Sequence, residues 1–307
     1  MLRAAELTGL RCLTLALLTL GGCSKKVEPA AATGSASAAP SVFKPAAAVA
    51  SGLPGALDQV SRAVNPENVP AYAGPTGSVM GIITATGDAP PVATEHVAKI
   101  KGACPEGRET YGHVFREGMM RALADVLVAV TGYEGYVPET QAKQTIAARG
   151  CAYSTRTVAL TYGQTLDIVS KDAEGYVPNL LGSHMKAQLL ALPGGAPSTV
   201  YPPAPGHYVL TDDIKVFMTA DVFVVKYATH DVTSLDGRYE IKGIPVGKAR
   251  LSAMLPTTQQ VVEKDIEIKA GQPLELNLEI PFDAKAYAAA AAAPAASGVA
   301  PAGSAGH

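Results

Sequence analysis

Residues 231–247 read DVTSLDGRYEIKGIPVG, and this stretch most clearly decides the fold class. Its Asp236-Gly237 pair is a strong turn signal, because glycine adopts the left-handed backbone that tight turns require. Residues 238–241 then alternate polar and apolar side chains, as in a strand with one buried face. Pro245 and Gly247 supply a second turn. The stretch therefore predicts a hairpin of short strands followed by another turn.

Similar short runs of β-branched and aromatic residues recur along the chain, and turn signals separate them. They predict strands at 79–84, 125–130, 157–161, 165–169, 214–218, 221–225, 238–241, 249–254, 263–268 and 274–280. Residues 114–127 also fit an amphipathic helix, and we interpret them as a short helix or loop before a strand from Ala124. Short strands at this spacing predict an all-β fold, an antiparallel β-sandwich.

The N-terminal segment has the features of an export signal. Arg3 and Arg11 provide a positive start, and the apolar run Cys12–Leu20 is shorter than the roughly 20 residues that span a bilayer. The sequence Leu-Gly-Gly-Cys that ends at Cys23 resembles the lipobox of bacterial lipoproteins, which implies cleavage before Cys23 and a lipid on its sulfur. The alternative is an ordinary secretory signal cleaved at small residues. Ser24 at the next position implies, by analogy, sorting to the outer membrane.

Composition divides the chain into a core region and two biased ends. The 307 residues carry a formal net charge of −2, which gives no basic field to attract nucleic acid. Segments rich in Ala, Pro, Ser and Gly bury little apolar surface and should stay disordered or weakly helical. We therefore predict a signal peptide at 1–22, a disordered tether at 23–75, a β-sandwich region at 76–283 and a disordered Ala-rich tail at 284–307.

The cysteine count leaves two thiols in the exported domain. Of four cysteines, Cys12 leaves with the signal and Cys23 takes the lipid. Cys104 and Cys151 remain in an oxidising compartment, where two thiols suffice for one disulfide. Two unrelated buried thiols are the alternative to this bridge.

From about Ser78 to Leu255 the chain carries three motifs that resemble a family of exported bacterial β-sandwich proteins. They are GSVMGIITATGDAPP at 77–91, GCAYSTRTVALTYGQTLDI at 150–168 and the stretch at 231–247 quoted above. The family combines a cupredoxin (blue-copper) sandwich with a segment typical of carboxypeptidase-regulatory-like modules. The resemblance implies a Greek-key, cupredoxin-like sandwich, with a regulatory-like part beginning at about residue 222 as one option.

The copper ligands of that family are replaced in this chain. A blue-copper site needs two His, a Cys thiolate and a weak axial Met. By the resemblance, Tyr176 in SKDAEGYV (170–177) stands at the first His position. In DDIKVFM (212–218), Asp212 stands at the Cys position, Lys215 at the second His position and Met218 at the Met position. We therefore predict a degenerate site that binds no metal.

The pentapeptide Glu-Gly-Tyr-Val-Pro occurs twice, at 134–138 and at 174–178. Tyrosine is a favoured recognition residue because it offers a large contact area at low entropic cost. If both loops lay at one end of a sandwich, Tyr136 and Tyr176 would form a binding surface. The other interpretation is two similar turns with packed tyrosines.

The motifs point away from catalysis. The sequence contains no Gly-x-Ser-x-Gly nucleophile motif and no Gly-rich phosphate loop, and its histidines share no metal-ligand spacing. We predict a non-catalytic cell-envelope lipoprotein without a cofactor, which displays a β-sandwich for binding or a structural role. The expected partners are the membrane, through the lipid on Cys23, and an envelope protein or glycan, but no nucleic acid. Two alternatives remain: a periplasmic copper-binding or electron-transfer protein with an atypical site, and a carbohydrate- or peptidoglycan-binding accessory module.

Overall fold

A computed structural model describes residues 50–51, 55–102, 104–183 and 189–292. The strands are β1 (Ala50–Ser51), β2 (Thr76–Gly87), β3 (Leu127–Thr131), β4 (Lys143–Arg149), β5 (Ala152–Tyr153), β6 (Thr157–Thr161), β7 (Thr165–Ser170), β8 (Pro178–Leu181), β9 (Ser198–Val200), β10 (Gly206–Asp212), β11 (Thr219–Val225), β12 (His230–Val232), β13 (Arg238–Pro245), β14 (Gly247–Leu255), β15 (Gln260–Ile268), β16 (Pro273–Glu275) and β17 (Leu278–Phe282). The helices are α1 (Leu57–Val64), α2 (Thr94–Lys99), α3 (Pro105–Tyr111) and α4 (Ala284–Ala292), with a 3-10 turn at Met119–Arg121. The all-β prediction is confirmed, and the predicted lipid-bearing Cys23 lies outside the described residues.

Two sheets face each other across a first hydrophobic core. One has the strand order β1-β9-β7-β4-β5 and the other β6-β11-β10-β8. Ile146 and Leu166 from the first sheet meet Leu160 and Leu210 from the second in one buried cluster. The sheets are mixed, because β4 pairs with β7 and β6 with β11 in parallel, while the neighbouring pairs are antiparallel. We call these two sheets the first sandwich.

Two further sheets enclose a second core. Their strand orders are β12-β3-β14-β15 and β13-β2-β16, with β17 also paired to β2. Val128 and Leu251 of one sheet pack with Ile83 and Ile241 of the other. Burial alternates along β13 and β14, as expected for strands with one solvent face. We call this pair of sheets the second sandwich.

The second sandwich draws its strands from both sides of the first along the chain. Strands β2 and β3 lie between β1 and the remaining strands of the first sandwich, β4 to β11, and β12 to β17 follow them. Residue 222, near which the sequence suggested a division, lies in the middle of β11 and in the first core. The second sandwich therefore begins with β2 and resumes after β11, instead of starting at a single boundary.

The Asp236-Gly237 turn connects the two sheets of the second sandwich. The predicted hairpin is wrong at this point, because β12 pairs with β3 whereas β13 pairs with β2. Gly237 has φ 70°, and a Cβ there would lie 2.5 Å from the Ile83 carbonyl oxygen. The Gly237 carbonyl also accepts the Ile83 amide at 2.9 Å. Glycine is thus required because the backbone of β2 approaches the turn closely.

Ordered structure extends past both predicted boundaries of the sandwich region. Residues 55–75 fall in the predicted tether, yet Val60 and Val64 of α1 pack against the first core. In the same segment the Tyr72 amide donates to the Tyr136 carbonyl at 2.8 Å. At the other end, α4 continues the chain as a helix to Ala292. No helix among the described residues has the length and apolar character needed to cross a membrane.

A buried carboxylate joins the two sandwiches. Asp125, just before β3, accepts two hydrogen bonds from the Arg116 guanidinium, each of 2.6 Å. It also accepts the Thr155 hydroxyl at 2.8 Å and the Arg156 amide at 2.7 Å, both from the segment that leads into β6. The backbone at Asp125 is left-handed, with φ 66°, a conformation that Asp tolerates better than most residues. One side chain therefore links the segments that lead into the two cores.

Candidate functional site

The four positions aligned with copper ligands lie together at one end of the first sandwich. The Lys215 ammonium lies 4.6 Å from the centre of the Tyr176 ring. The Asp212 carboxylate accepts the Lys215 amide at 2.6 Å, and the Met218 amide donates to the Lys215 carbonyl at 2.7 Å. The side chain of Met218 is fully buried in the first core. The structure therefore brings together the residues that the resemblance aligned.

Asp212 organises the loop that follows β10. Its side chain points inward, and one carboxylate oxygen accepts the Val177 amide at 2.7 Å. The other oxygen accepts the amides of Ile214 at 3.0 Å and of Lys215. A carboxylate that bonds backbone amides two and three residues ahead stabilises a turn. The prediction of a strand at 214–218 is wrong for this reason, since the turn ends β10 at Asp212.

Tyr176 is a buried structural residue. Its ring is 0% exposed, and its hydroxyl donates to an Asp172 oxygen at 2.6 Å. The same hydroxyl accepts the Cys151 amide at 3.3 Å. Burial, together with the bond to Asp172, raises the pKa of the Tyr176 phenol above its ordinary value. The phenol therefore stays protonated and keeps its bond to Asp172.

Asp172 is a structural residue of the site that the sequence did not point to. Besides Tyr176, it accepts the amides of Gly150 at 2.7 Å and of Glu174 at 2.9 Å. Burial alone would raise the pKa of Asp172, but these hydrogen bonds outweigh it and hold the pKa below its usual value. Near Asp172 the sequence shows only an Asp two residues before a Glu-Gly turn. That pattern does not indicate the hydrogen bond with Gly150, which lies 22 residues earlier in the chain.

The predicted disulfide is confirmed and lies beneath this site. Cys104 and Cys151 are bonded, with Cα atoms 5.3 Å apart. Gly150 and Cys151 form the two-residue loop between β4 and β5, with φ values of 54° and 62°. Two successive positive φ values are typical of the tightest hairpin turns. The disulfide ties this hairpin to the start of α3, where the Gly107 amide also donates to the Gly150 carbonyl at 3.0 Å.

The two tyrosines of the repeated pentapeptide do not form one surface. Tyr136 lines a cavity of about 210 Å³ next to Gly163, just before β7 begins. Tyr176 follows the other end of β7, and the six residues of β7 span about 20 Å. Because Tyr176 is also buried, the predicted binding pair of Tyr136 and Tyr176 is wrong.

Exposed apolar side chains surround the site. Leu190 and Leu192 flank Gly175, and the residue between them, Ala191, pairs with Tyr176 through two backbone hydrogen bonds of 2.9 and 3.0 Å. Ile214 and Val216, which flank Lys215 in the chain, are 69% and 61% exposed. We call Leu190, Leu192, Ile214 and Val216 the apolar rim. A salt bridge of 2.9 Å between Lys215 and Glu174 lies within it.

Metal-ligating groups are scattered elsewhere. In the described residues no three His, Cys, Asp or Glu side chains lie close enough together to hold a metal ion. His207 bonds Asp221 at 2.7 Å and stacks on Phe223 on the outer face of β10 and β11. His230 bonds the Thr161 hydroxyl at 3.1 Å where the two sandwiches meet. Each of these histidines thus has a local partner of its own.

Comparisons with known proteins give partial structural matches. No family model and no curated protein matches the chain. A reduced amicyanin mutant is 18% identical, with a TM-score of 0.24, over 26% of this chain and 79% of its own. Amicyanin from Paracoccus versutus (Thiobacillus versutus) is 17% identical, with a TM-score of 0.24, over 32% of this chain and 96% of its own. TM-scores of this size imply no shared ligand or activity.

Proposed function

We propose that this protein is a non-catalytic lipoprotein of the bacterial envelope that binds a partner protein through the apolar rim. In this proposal the first sandwich is a cupredoxin-like domain that has lost its copper ligands, and the second is a regulatory-like module. The lipid on Cys23 holds both sandwiches at the membrane, and Ser24 favours the outer membrane. In this proposal the protein uses no cofactor and binds no nucleic acid.

The observation that carries the proposal is how the former ligand positions are used. Asp212 accepts three backbone amides, Tyr176 bonds Asp172 and Met218 is packed in the core. These contacts hold the loops beside the site in one shape. The same loops place four large apolar side chains in solvent: Leu190 and Leu192 lie near Gly175, and Ile214 and Val216 flank Lys215, which pairs with Glu174. Exposed apolar side chains that form a patch are typical of protein interaction sites.

Crosslinking in cells tests the rim. The Ile214→Glu/Val216→Glu double variant places two charges in the rim, and Leu57→Glu is the matched control at an exposed apolar position on α1. Formaldehyde crosslinking of the wild type should give a discrete adduct whose yield is unchanged in Leu57→Glu and at least about tenfold lower in the rim variant. Thermal unfolding checks that all three proteins fold. Equal yields, or no wild-type adduct, would contradict the proposal.

Membrane fractionation tests the anchor separately. The wild type should sediment with membranes, with an N-terminal peptide that begins at Cys23 and carries the added mass of acyl chains. Cys23→Ser removes the sulfur that would carry the lipid. It should therefore release the protein into the soluble fraction, because stable anchoring needs two or more acyl chains. Sedimentation of Cys23→Ser with membranes would rule out the lipid as the anchor.

A further inference from the structure

A strained turn on the second sandwich presents two methionines to solvent. Met119 and Met120 are 88% and 91% exposed. Met120 and Arg121 have φ values of 54° and 64°, a left-handed conformation that is unfavourable for residues other than glycine. Strain of this kind persists only where the surroundings enforce it, and it concentrates at binding sites.

The surroundings of this turn hold it firmly. The Arg121 guanidinium donates to the carbonyls of Gly87 at 2.6 Å and Asp88 at 2.7 Å. It also pairs with Glu117 at 2.8 Å. The Gly118 amide donates to the Ala122 carbonyl at 2.8 Å, which closes the loop. The two methionines are therefore exposed on a fixed support.

The two methionines line one side of a groove on the outer face of β2. A cavity of about 1060 Å³ there is lined by both methionines together with Ile82, Leu235 and Leu278. A second cavity of about 470 Å³ shares Ile82 with the first, so the groove continues along β2 toward Met80. From Thr84 to Met80 it follows about 13 Å of strand, which suits four or five residues of an extended peptide. Methionine is common in such surfaces because its side chain adapts to different apolar partners.

The charges around the groove are predominantly negative. Its two cavities are lined by two cations, Arg238 and Lys264, and by five carboxylates: Asp231, Asp236, Glu240, Glu275 and Glu279. Asp236 pairs with Arg238 and Glu240 with Lys242. Within the described part of the chain, neither Glu275 nor Glu279 forms an ion pair. A ligand with positive charges would complement the carboxylates of the groove.

The lining also argues against a sugar ligand. Among the described residues of both cavities the only aromatic ring is that of Tyr239, which is buried. Its hydroxyl donates to the Leu276 carbonyl at 2.6 Å. The described lining therefore offers no aromatic face on which a sugar ring could stack. Its methionines and aliphatic residues instead suit the apolar side chains of a peptide.

We propose that this groove binds an extended segment of a partner protein in which apolar side chains alternate with Lys or Arg. The apolar side chains would lie between the methionines and Ile82, and the cations would face Glu275 and Glu279. This site is on the second sandwich and is independent of the apolar rim.

Fluorescence anisotropy with designed peptides tests the proposal. The probe is a fluorescein-labelled hexapeptide of alternating Leu and Lys, and the comparison peptides alternate Leu with Glu and Ser with Lys. The protein is the chain from residue 24 onward. The Leu/Lys peptide should bind at least about tenfold more tightly than either comparison peptide. Its affinity should fall as salt rises, because salt screens the carboxylates.

Two groove variants and two controls locate the binding. Met119→Ser/Met120→Ser and Glu275→Lys/Glu279→Lys should each weaken Leu/Lys binding at least about tenfold. Leu57→Ser and the rim variant Ile214→Glu/Val216→Glu should leave it unchanged, which separates this proposal from the function proposed above. Equal affinity for the Leu/Lys and Leu/Glu peptides, or unchanged affinity in both groove variants while they remain folded, would overturn the proposal.

Discussion

Asp212→Asn should destabilise the protein by about 2–3 kcal/mol. The carboxylate accepts three backbone amides, and the amide side chain of Asn offers one acceptor oxygen in place of two. If that oxygen keeps the amides of Ile214 and Lys215, the Asn NH₂ group faces the Val177 amide and leaves it without an acceptor. A buried donor without a partner costs about 1–3 kcal/mol, and the two remaining bonds lose the strengthening that the charge provided. A loss of this size lowers the Tm by roughly 5–10 °C in a domain of this length.

Asp213→Asn is the matched control one residue further on. Asp213 is exposed, and its carboxylate accepts one hydrogen bond, from the Asn179 side chain at 3.0 Å. Its replacement should change the free energy of unfolding by no more than about 0.5 kcal/mol. Urea unfolding followed by circular dichroism measures both variants against the wild type. Equal losses in the two variants would refute the view that the Asp212 carboxylate holds the loop.

Three further changes test other parts of the fold. Asp125→Asn should lower the free energy of unfolding in urea by about 3–5 kcal/mol, because it leaves the largely buried Arg116 without its counter-charge. A loss under about 1 kcal/mol would contradict the role of Asp125 between the two sandwiches. Replacing Cys104 and Cys151 with Ala removes a bridge between residues 47 apart and should cost about 4 kcal/mol, whereas an unchanged unfolding midpoint would contradict this. Burial lowers the pKa of His230 despite the opposing effect of a nearby carboxylate, so the unfolded chain takes up the proton first and stability should fall as pH drops below about 6.5. His230→Gln should lose less stability than the wild type between pH 7 and 5, and identical pH profiles would exclude this role.

Strands marked by runs of β-branched and apolar residues between turn signals were predictable, but a similar run that a side chain caps into a turn was not. The predicted run 157–161 coincides with β6, and 165–169 falls within β7. The apolar run 214–218 has the composition of a strand, but the carboxylate before it bonds its amides and forms a turn. The predicted strand 274–280 is divided in two, because the Leu276 amide bonds Met80 and the Asn277 side chain accepts the Ile82 amide.

Long-range pairings also escape a reading of the sequence. Strand β2 pairs in parallel with β17, which follows almost at the end of the described chain. No local pattern encodes that partner, so the sequence could not show that one sandwich interrupts the other. The disulfide was predictable because the count left only two thiols to pair. The contacts of Asp172 were not, since they depend on how closely the hairpin at Gly150 approaches.

Copper titration of the purified chain from residue 24 onward shows whether Tyr176, Asp212, Lys215 and Met218 form an internal structural cluster or a metal centre. The variant Tyr176→His/Asp212→Cys/Lys215→His, which keeps Met218, supplies the full ligand set as a positive control. We expect no stoichiometric copper and no copper–thiolate absorption band in the wild type, and such a band in the folded triple variant. Stoichiometric copper in the wild type, abolished by Asp212→Asn, would contradict this expectation.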